Sequence, residues 1–354
     1  MQPLGPGFLF AGRQTEIRVP AGPPERLHIR VVDHFDNVGD RPLRSLEVRL
    51  PEGPGFGAQN VRMTADGKDV SPEHSSDLDR RMMRAAFDPA WEQQKPREIV
   101  TEWDLTPEAF ARGTVAASAT AFYIADATAL PLWQPPSGVF TQGGSVPLDE
   151  TLTVSVPGDF RVLAPGKPEK SKNPLIGNLV TQSFHIKPLE DFLPFVVAGR
   201  YEEQVVPARQ GAVSFWTFQP LDAQLARTAS ARLSSSARAL TDFFGPASKG
   251  RAVIHLAQAP GELPAEFGEA NEAGGTSFPY GVLLDSRSFA KGVSSEDVLE
   301  LAEYELAQTW FGWRVRPLPE AEDRRSAASP CTGNRLSARR SSSGNPATPH
   351  DRLC

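Results

Sequence analysis

The stretch YELAQTWFGW, residues 304–313, holds the side chains of this chain whose types and spacing come nearest to chemistry. On a helix, positions i and i+4 share a face. Two histidines so placed can grip one zinc ion while the acid that follows the first sits beside the metal-bound water as general base. Here Tyr304 and Gln308 occupy the two ligand positions and Glu305 the position of the base. A neutral phenol and a carboxamide are poor zinc donors, and a base with no activated water has nothing to deprotonate. The stretch therefore poses two readings: a zinc helix that has lost its metal, or a helix with one solvated glutamate that never held one.

Other constellations are thinner. His28, His34, His74 and His185 are scattered at no ligand spacing, and His255 sits in the apolar run AVIHLA, where a core or edge role is the simpler reading. Ser234, Ser235 and Ser236 lie in a helical pattern without a nucleophile elbow, which leaves a serine hydrolase little support. GEANEAGG matches neither a phosphate loop nor a calcium loop. Both cysteines, Cys331 and Cys354, fall near the C-terminal end, so the body has neither a disulfide framework nor a thiol nucleophile. Trp91, Trp103, Trp133 and Trp216 read as core or sheet-packing residues.

The chain of 354 residues with 40% hydrophobic content has room for two ordinary domains. Short β-rich runs, LHIRVVDHF, SLEVRL, IVTEWDL, TLTVSV and PFVVAGRYEEQVV, alternate with DNVGDRP, PEGPGFG, ADGKD and VPGDF, which supply turn residues. Residues 8–19 also read as strand, with no leader ahead of them, which points to an incomplete start. This predicts an antiparallel β sandwich or saddle over 1–205. The texture changes at Pro220. Leu225, Ala229, Leu233, Ala237, Leu240 and Phe244 recur at helical spacing up to Gly245-Pro246. A strand RAVIHLA, a Gly-rich loop EAGGTSFPYG, a strand VLLD and a helix opening at Ser294, with Asp297 at the capping-box position, follow in turn. That order predicts an α+β domain over 206–323.

Charge divides the chain differently. Residues 324–354 carry six Arg against the single acid Asp351, so from totals of 37 basic and 43 acidic groups residues 1–323 keep 31 and 42, a net −11. An acidic body is ill suited to phosphate backbones, which argues against nucleic acid as a partner. Leu336 and Leu353 are the only large aliphatic residues of the tail, too few to offset its ordering entropy, so it is expected to be a disordered basic arm or the product of a frameshift. No run approaches the roughly 18 apolar residues of a membrane span. MQPLGPGFLFAG lacks the basic start and apolar stretch of a secretory signal, which makes a soluble, cytoplasmic protein the default and an extracytoplasmic one the alternative if residues precede Met1. Nothing in the sequence specifies an oligomeric state.

Glu305 with Trp310-Phe311-Gly312, together with Gly274-Gly275, Pro279 and Val282-Leu283-Leu284, and Phe243-Phe244-Gly245-Pro246, resembles the aminopeptidase N family of gluzincin zinc metallopeptidases over residues 28–322. The resemblance implies an N-terminal β saddle, ending in a segment like FVVAGRYEE, followed by the first part of a thermolysin-like catalytic domain, with zinc as cofactor and release of N-terminal residues from peptides as activity. The departures fall where that chemistry would be. The family's exopeptidase loop, Gly-x-Met-Glu-Asn, is matched by Gly274, Gly275, Thr276 and Ser277, which lack the carboxylate that pairs with a substrate amine. The third zinc ligand would fall near Ala327, in the anomalous tail, and the helical domain with the transition-state Tyr would lie past the last residue.

The resemblance thus implies a degenerate, C-terminally truncated relative, with Glu305 a relic base and no metal expected in this chain. A non-catalytic scaffold that holds a peptide or protein ligand is the alternative, and a hydrolase with another constellation a third. Two structural expectations follow. Tyr304 and Gln308 should project with Glu305 toward the segment around Gly275. Leu306, Trp310 and Phe311 should leave apolar surface where the family's later helices pack.

Overall fold

Alternation lays down most of the β region. In Leu27–Asn37, Leu27, Ile29, Val31 and Phe35 are buried on one face while His28 points to water on the other. A strand patterned this way buries one face against a neighbouring layer and leaves the other wet. The structure is a computed structural model that describes residues 5–19, 27–50, 58–74, 82–105, 115–117, 120–124, 130–135, 139–142, 147–169, 179–187, 195–208, 211–245, 253–260, 274–278, 281–289 and 295–310. These fall within one compact unit, Met1–Arg316. The tail, Ser294 and Phe311 lie outside them.

Among the described residues the strands form four sheets. The largest runs in the order β15 (Lys167–Pro168), β16 (Leu179–Ile186), β13 (Glu150–Pro157), β1 (Gly7–Arg18), β2 (Leu27–Asn37), β8 (Pro96–Leu105), β4 (Ala58–Ala65) and β5 (Lys68–Val70). It is antiparallel except that β1 pairs in parallel with β13 and with β12 (Phe140–Gln142). A second sheet runs β11 (Leu132–Gln134), β3 (Leu43–Arg49), β7 (Met82–Trp91), β6 (Glu73–His74). A third runs β14 (Arg161–Leu163), β17 (Val196–Gly199), β10 (Ala121–Ile124), β9 (Val115–Ala117). The fourth runs β18 (Glu202–Ala208), β19 (Gly211–Thr217), β20 (Val253–Gln258), β22 (Gly281–Leu284), β21 (Gly275–Phe278), with helices α1 (Ala223–Phe244) and α2 (Ser295–Gln308). The class is α+β, with an N-terminal β sandwich ahead of the helices.

Core clusters show how the layers stack. One face of the large sheet is covered toward one end by the second sheet, where Phe8, Phe10, Phe35 and Ile99 meet Leu46, Val48 and Trp133. Toward the other end the third sheet covers it, where Ile17, Val31, Trp103 and Leu152 meet Phe122, Ile124, Val196 and Ala198. The third sheet is itself covered behind: Tyr123, Phe195 and Val197 pack with Trp216, Phe278 and Leu283 of the fourth. Phe195 stacks on Phe278 with centroids 4.2 Å apart. That is why AFYI and VVAG are buried at every position and show no alternation. The helices close the far face of the fourth sheet, where Ala226, Ala229 and Leu233 of α1 meet Leu299, Ala302 and Leu306 of α2.

Three readings are adjusted by the structure. PFVVAGRYEEQVV is two strands in two sheets, parted at Arg200-Tyr201, and residues 205 and 206 both lie in β18. The Gly-rich stretch holds a strand, since Gly275–Phe278 pairs with β22 in antiparallel register; Thr and Phe there suit a pleated edge better than a loop. Phe244, expected on the apolar face of the first helix, is 37% exposed and Phe243 83% exposed, because the helix runs past the layer that buries Leu233.

Between the two cores on the large sheet the inward side chains turn polar on four neighbouring strands. Arg13 and Thr15 on β1, Asp33 on β2, Thr101 on β8 and Glu150 on β13 are all buried. Arg13 grips Asp33 through Nε at 2.7 Å and Nη2 at 3.0 Å, and the same Nη2 donates to the carbonyl of Pro131 at 2.7 Å. Trp133 Nε1 donates to Asp33 at 2.6 Å. Residues 130–134 are where the chain passes from the third sheet to the second, so the ion pair clasps that crossover.

Candidate functional site

Helix α2 owes its placement to both faces. Leu299, Ala302, Glu305 and Leu306, spaced three and four apart, are its buried residues, and Glu296 and Asp297 in its first turn complement the positive end of the helix dipole. Helix α1 backs it. Asp222 caps α1, accepting from the backbone N–H of Gln224 at 2.9 Å and Leu225 at 3.0 Å. Gly245 ends it with φ of 79°, a left-handed conformation that favours glycine, and its N–H donates to Thr241. Arg232 of α1 donates to Glu296 at 2.6 Å and to Glu303, and Ser236 Oγ donates to Glu303 at 2.8 Å. The Arg232 hydrogen bond holds the Glu303 carboxyl below the usual carboxylate range. Leu306 and Trp310 are 2% and 4% exposed, contrary to the expectation of bare apolar surface. The reason is local: Trp310 joins the α1–α2 core and its Nε1 donates to the Gly245 carbonyl at 2.9 Å, at the end of α1.

Glu305 and Gly275 are brought together. A Cβ added at Gly275 would stand 2.8 Å from Glu305 Cγ, 3.3 Å from its Cδ and 3.1 Å from Leu284 Cδ2, so the backbone of β21 passes directly over the glutamate stem. Glu305 is 9% exposed. The two residues at the ligand positions do not share this burial: Tyr304 is 61% exposed and Gln308 half-buried. Only Glu305 of the three is buried where Gly275 lies. The other members of the matched loop sit close by along the chain. The Gly274 carbonyl accepts from the Asp285 N–H at 2.9 Å, Thr276 pairs with Leu283, and Ser277 is buried opposite Val282.

A carboxylate not singled out among the candidate residues above lies at the same end of β22. Asp285 is fully buried, accepts from the Arg287 N–H at 2.7 Å, and is held by Arg287 Nη2 at 2.7 Å and Nε at 3.1 Å. Both guanidinium donors meet Oδ2 while the backbone N–H meets Oδ1, which fixes the short 3-10 turn Ser286–Phe289 that follows β22. An acid and an Arg two residues apart at a strand end were the available signal.

The histidines stay dispersed. His28 meets Asp104 at 3.1 Å and His185 meets Asp149 at 3.5 Å, each half-exposed on the large sheet, and His255 lies edge-on to Trp216 with ring centroids 6.3 Å apart. Among the described residues no three His, Cys, Asp or Glu side chains gather as a metal-binding group. Ala327, where the resembled family would supply its third ligand, is outside the described residues. Nor is any described helix long and apolar enough to cross a membrane.

No family model and no curated protein matches this chain. Solved structures do. An M1 zinc metallopeptidase from Deinococcus radiodurans aligns with a TM-score of 0.54 and 16% identity, over 86% of this chain and 64% of that one. A point mutant of a two-domain M1 zinc metallopeptidase bound to L-arginine gives 0.55 and 14%, over 86% and 65%. A mutant of the Deinococcus radiodurans protein bound to a Tyr-Ser-Ala substrate gives 0.53 and 17%, over 86% and 65%. The likeness establishes a distant M1 metallopeptidase-like fold, and this chain spans about two-thirds of the length of those structures.

Proposed function

We propose that this chain is a degenerate relative of the M1 zinc aminopeptidases, in which α2 keeps the base and has lost the metal ligands, and that it does not hydrolyse peptides. The observation that carries the reading is the seating of Glu305 beneath Gly275 on the helix where Tyr304 and Gln308 stand at the positions imidazoles would take. Those side chains do not fit zinc: a phenol and a carboxamide stay neutral at ordinary pH and offer weak donors, and Tyr304 is turned largely to solvent. Thr276 and Ser277 likewise supply no carboxylate for a peptide amine. The division into a β domain over 1–205 and a partial peptidase domain over 206–323 belongs to this proposal.

A binding role is the second reading, favoured by the place of β21 at the end of the fourth sheet among the described residues. A strand there can accept an extended peptide through main-chain hydrogen bonds without any catalysis.

Metal content and turnover test the first reading. Protein dialysed against zinc and then against buffer should retain far less than one equivalent by elemental analysis. The double variant Tyr304→His, Gln308→His should bind zinc measurably more tightly yet remain inactive on aminoacyl reporter substrates. Stoichiometric zinc in the unaltered chain, or aminopeptidase turnover that Glu305→Gln abolishes, would overturn it.

A further inference from the structure

Glu150 is the ionisable member of the polar row between the two cores that the Arg13–Asp33 clasp leaves out. It stands beside Arg13 in the β1–β13 register and is 6% exposed, and its Oε1 meets no hydrogen-bond donor among the described residues. Its other strand neighbour, Ile186 of β16, is apolar. The groups that act on it are Arg13 from β1, Asp33 from β2 and the adjoining Asp149, which itself faces His185 of β16. Residues 130–134 bring no charge. Arg13 already spends Nε and Nη2 on Asp33 and Pro131, so an ionised Glu150 would compete for a cation in use and lie against a second buried carboxylate.

We propose that this joint is a pH-responsive device: protonated Glu150 lets the second and third sheets close over the Arg13–Asp33 clasp, and loss of that proton loosens the crossover at 130–134. Burial, opposed in part by Arg13, pushes the Glu150 carboxyl up to about 7 from an ordinary 4.5. The sign follows from proton counting. Between those two values the closed joint holds a proton that an opened, hydrated Glu150 gives up, so opening becomes easier as pH rises, by up to about tenfold per unit. The effect levels off once the closed form is ionised as well.

Hydrogen exchange of the full chain, corrected for the intrinsic pH dependence of the chemistry and read in peptides covering 130–135 and 147–152, tests this. Opening at these amides should increase at least about tenfold from pH 5 to pH 7 and flatten above pH 8, while α1 and β20 stay unchanged. Glu150→Gln should remove the rise. A flat profile in the unaltered chain would overturn the proposal, even if the variant fails to fold. So would an equal rise across the whole chain, or a rise that persists in Glu150→Gln.

Discussion

Two buried carboxylates divide the molecule between architecture and candidate chemistry. Asp33 is fully enclosed, and its oxygens are taken by a guanidinium and an indole drawn from other elements. Glu305 is held differently, by a strand backbone that crosses over its stem, one residue from a tyrosine turned to water. The first arrangement leaves the acid no freedom and clasps a crossover. The second fixes where an acid sits while the preceding Tyr304 reaches solvent. Burial alone does not mark function; what is set against the buried group does.

The sharpest way to break the comparison is Asp33→Asn. The amide keeps the volume but leaves Arg13 buried without its counter-charge, which should cost about 3–5 kcal/mol in denaturant unfolding. A loss below about 1 kcal/mol would show that the clasp is not structural.

Gly275→Ala should be intermediate. The new methyl meets the Glu305 stem and Leu284, and the adjustment is expected to cost about 1–3 kcal/mol. If the variant is as stable as the parent, Glu305 is not confined as described.

Asp222→Ala acts at the helix that backs the site and should be the smallest of the three. The backbone N–H of Leu225 and then of Gln224 hold this carboxyl below its ordinary range. Its stabilising effect is therefore present above the unfolded-state value and fades as pH falls through the folded one. The difference in thermal midpoint between parent and variant should shrink in acid. A constant difference would remove the cap from the explanation.

Much of the β region was legible because inward and outward residues alternate, as in Leu27–Asn37 and Glu150–Pro157. The clasp was not, and β1 shows why. Phe8 and Phe10 face inward, and strict alternation would send Arg13 outward; a register shift between Phe10 and Gly12 reverses the phase and brings Arg13, Thr15 and Ile17 inside. Strand β10 went unread for the opposite reason, having no wet face to alternate with. At the site, Glu305 drew notice from its helix spacing and from the resemblance, and the structure sets the backbone of Gly275 against its stem. The differing exposure of Tyr304 was not legible, since spacing alone does not say which flank of a half-buried helix meets the sheet.

The third sheet, with both faces enclosed, makes the chain hard to divide. Phe122 and Tyr123 are consecutive, yet they serve opposite sides of one wall. A gene fragment ending at residue 205 would strip Trp216, Phe278 and Leu283 from that wall and sever β18 midway. Such a fragment would present Tyr123, Phe195 and Val197 to water as a sticky plane, and its yield as soluble protein would suffer accordingly. Recombination or insertion is better tolerated on the outer side of the large sheet, where charged pairs such as Arg30 with Glu102 face water and no second layer of described residues packs on them.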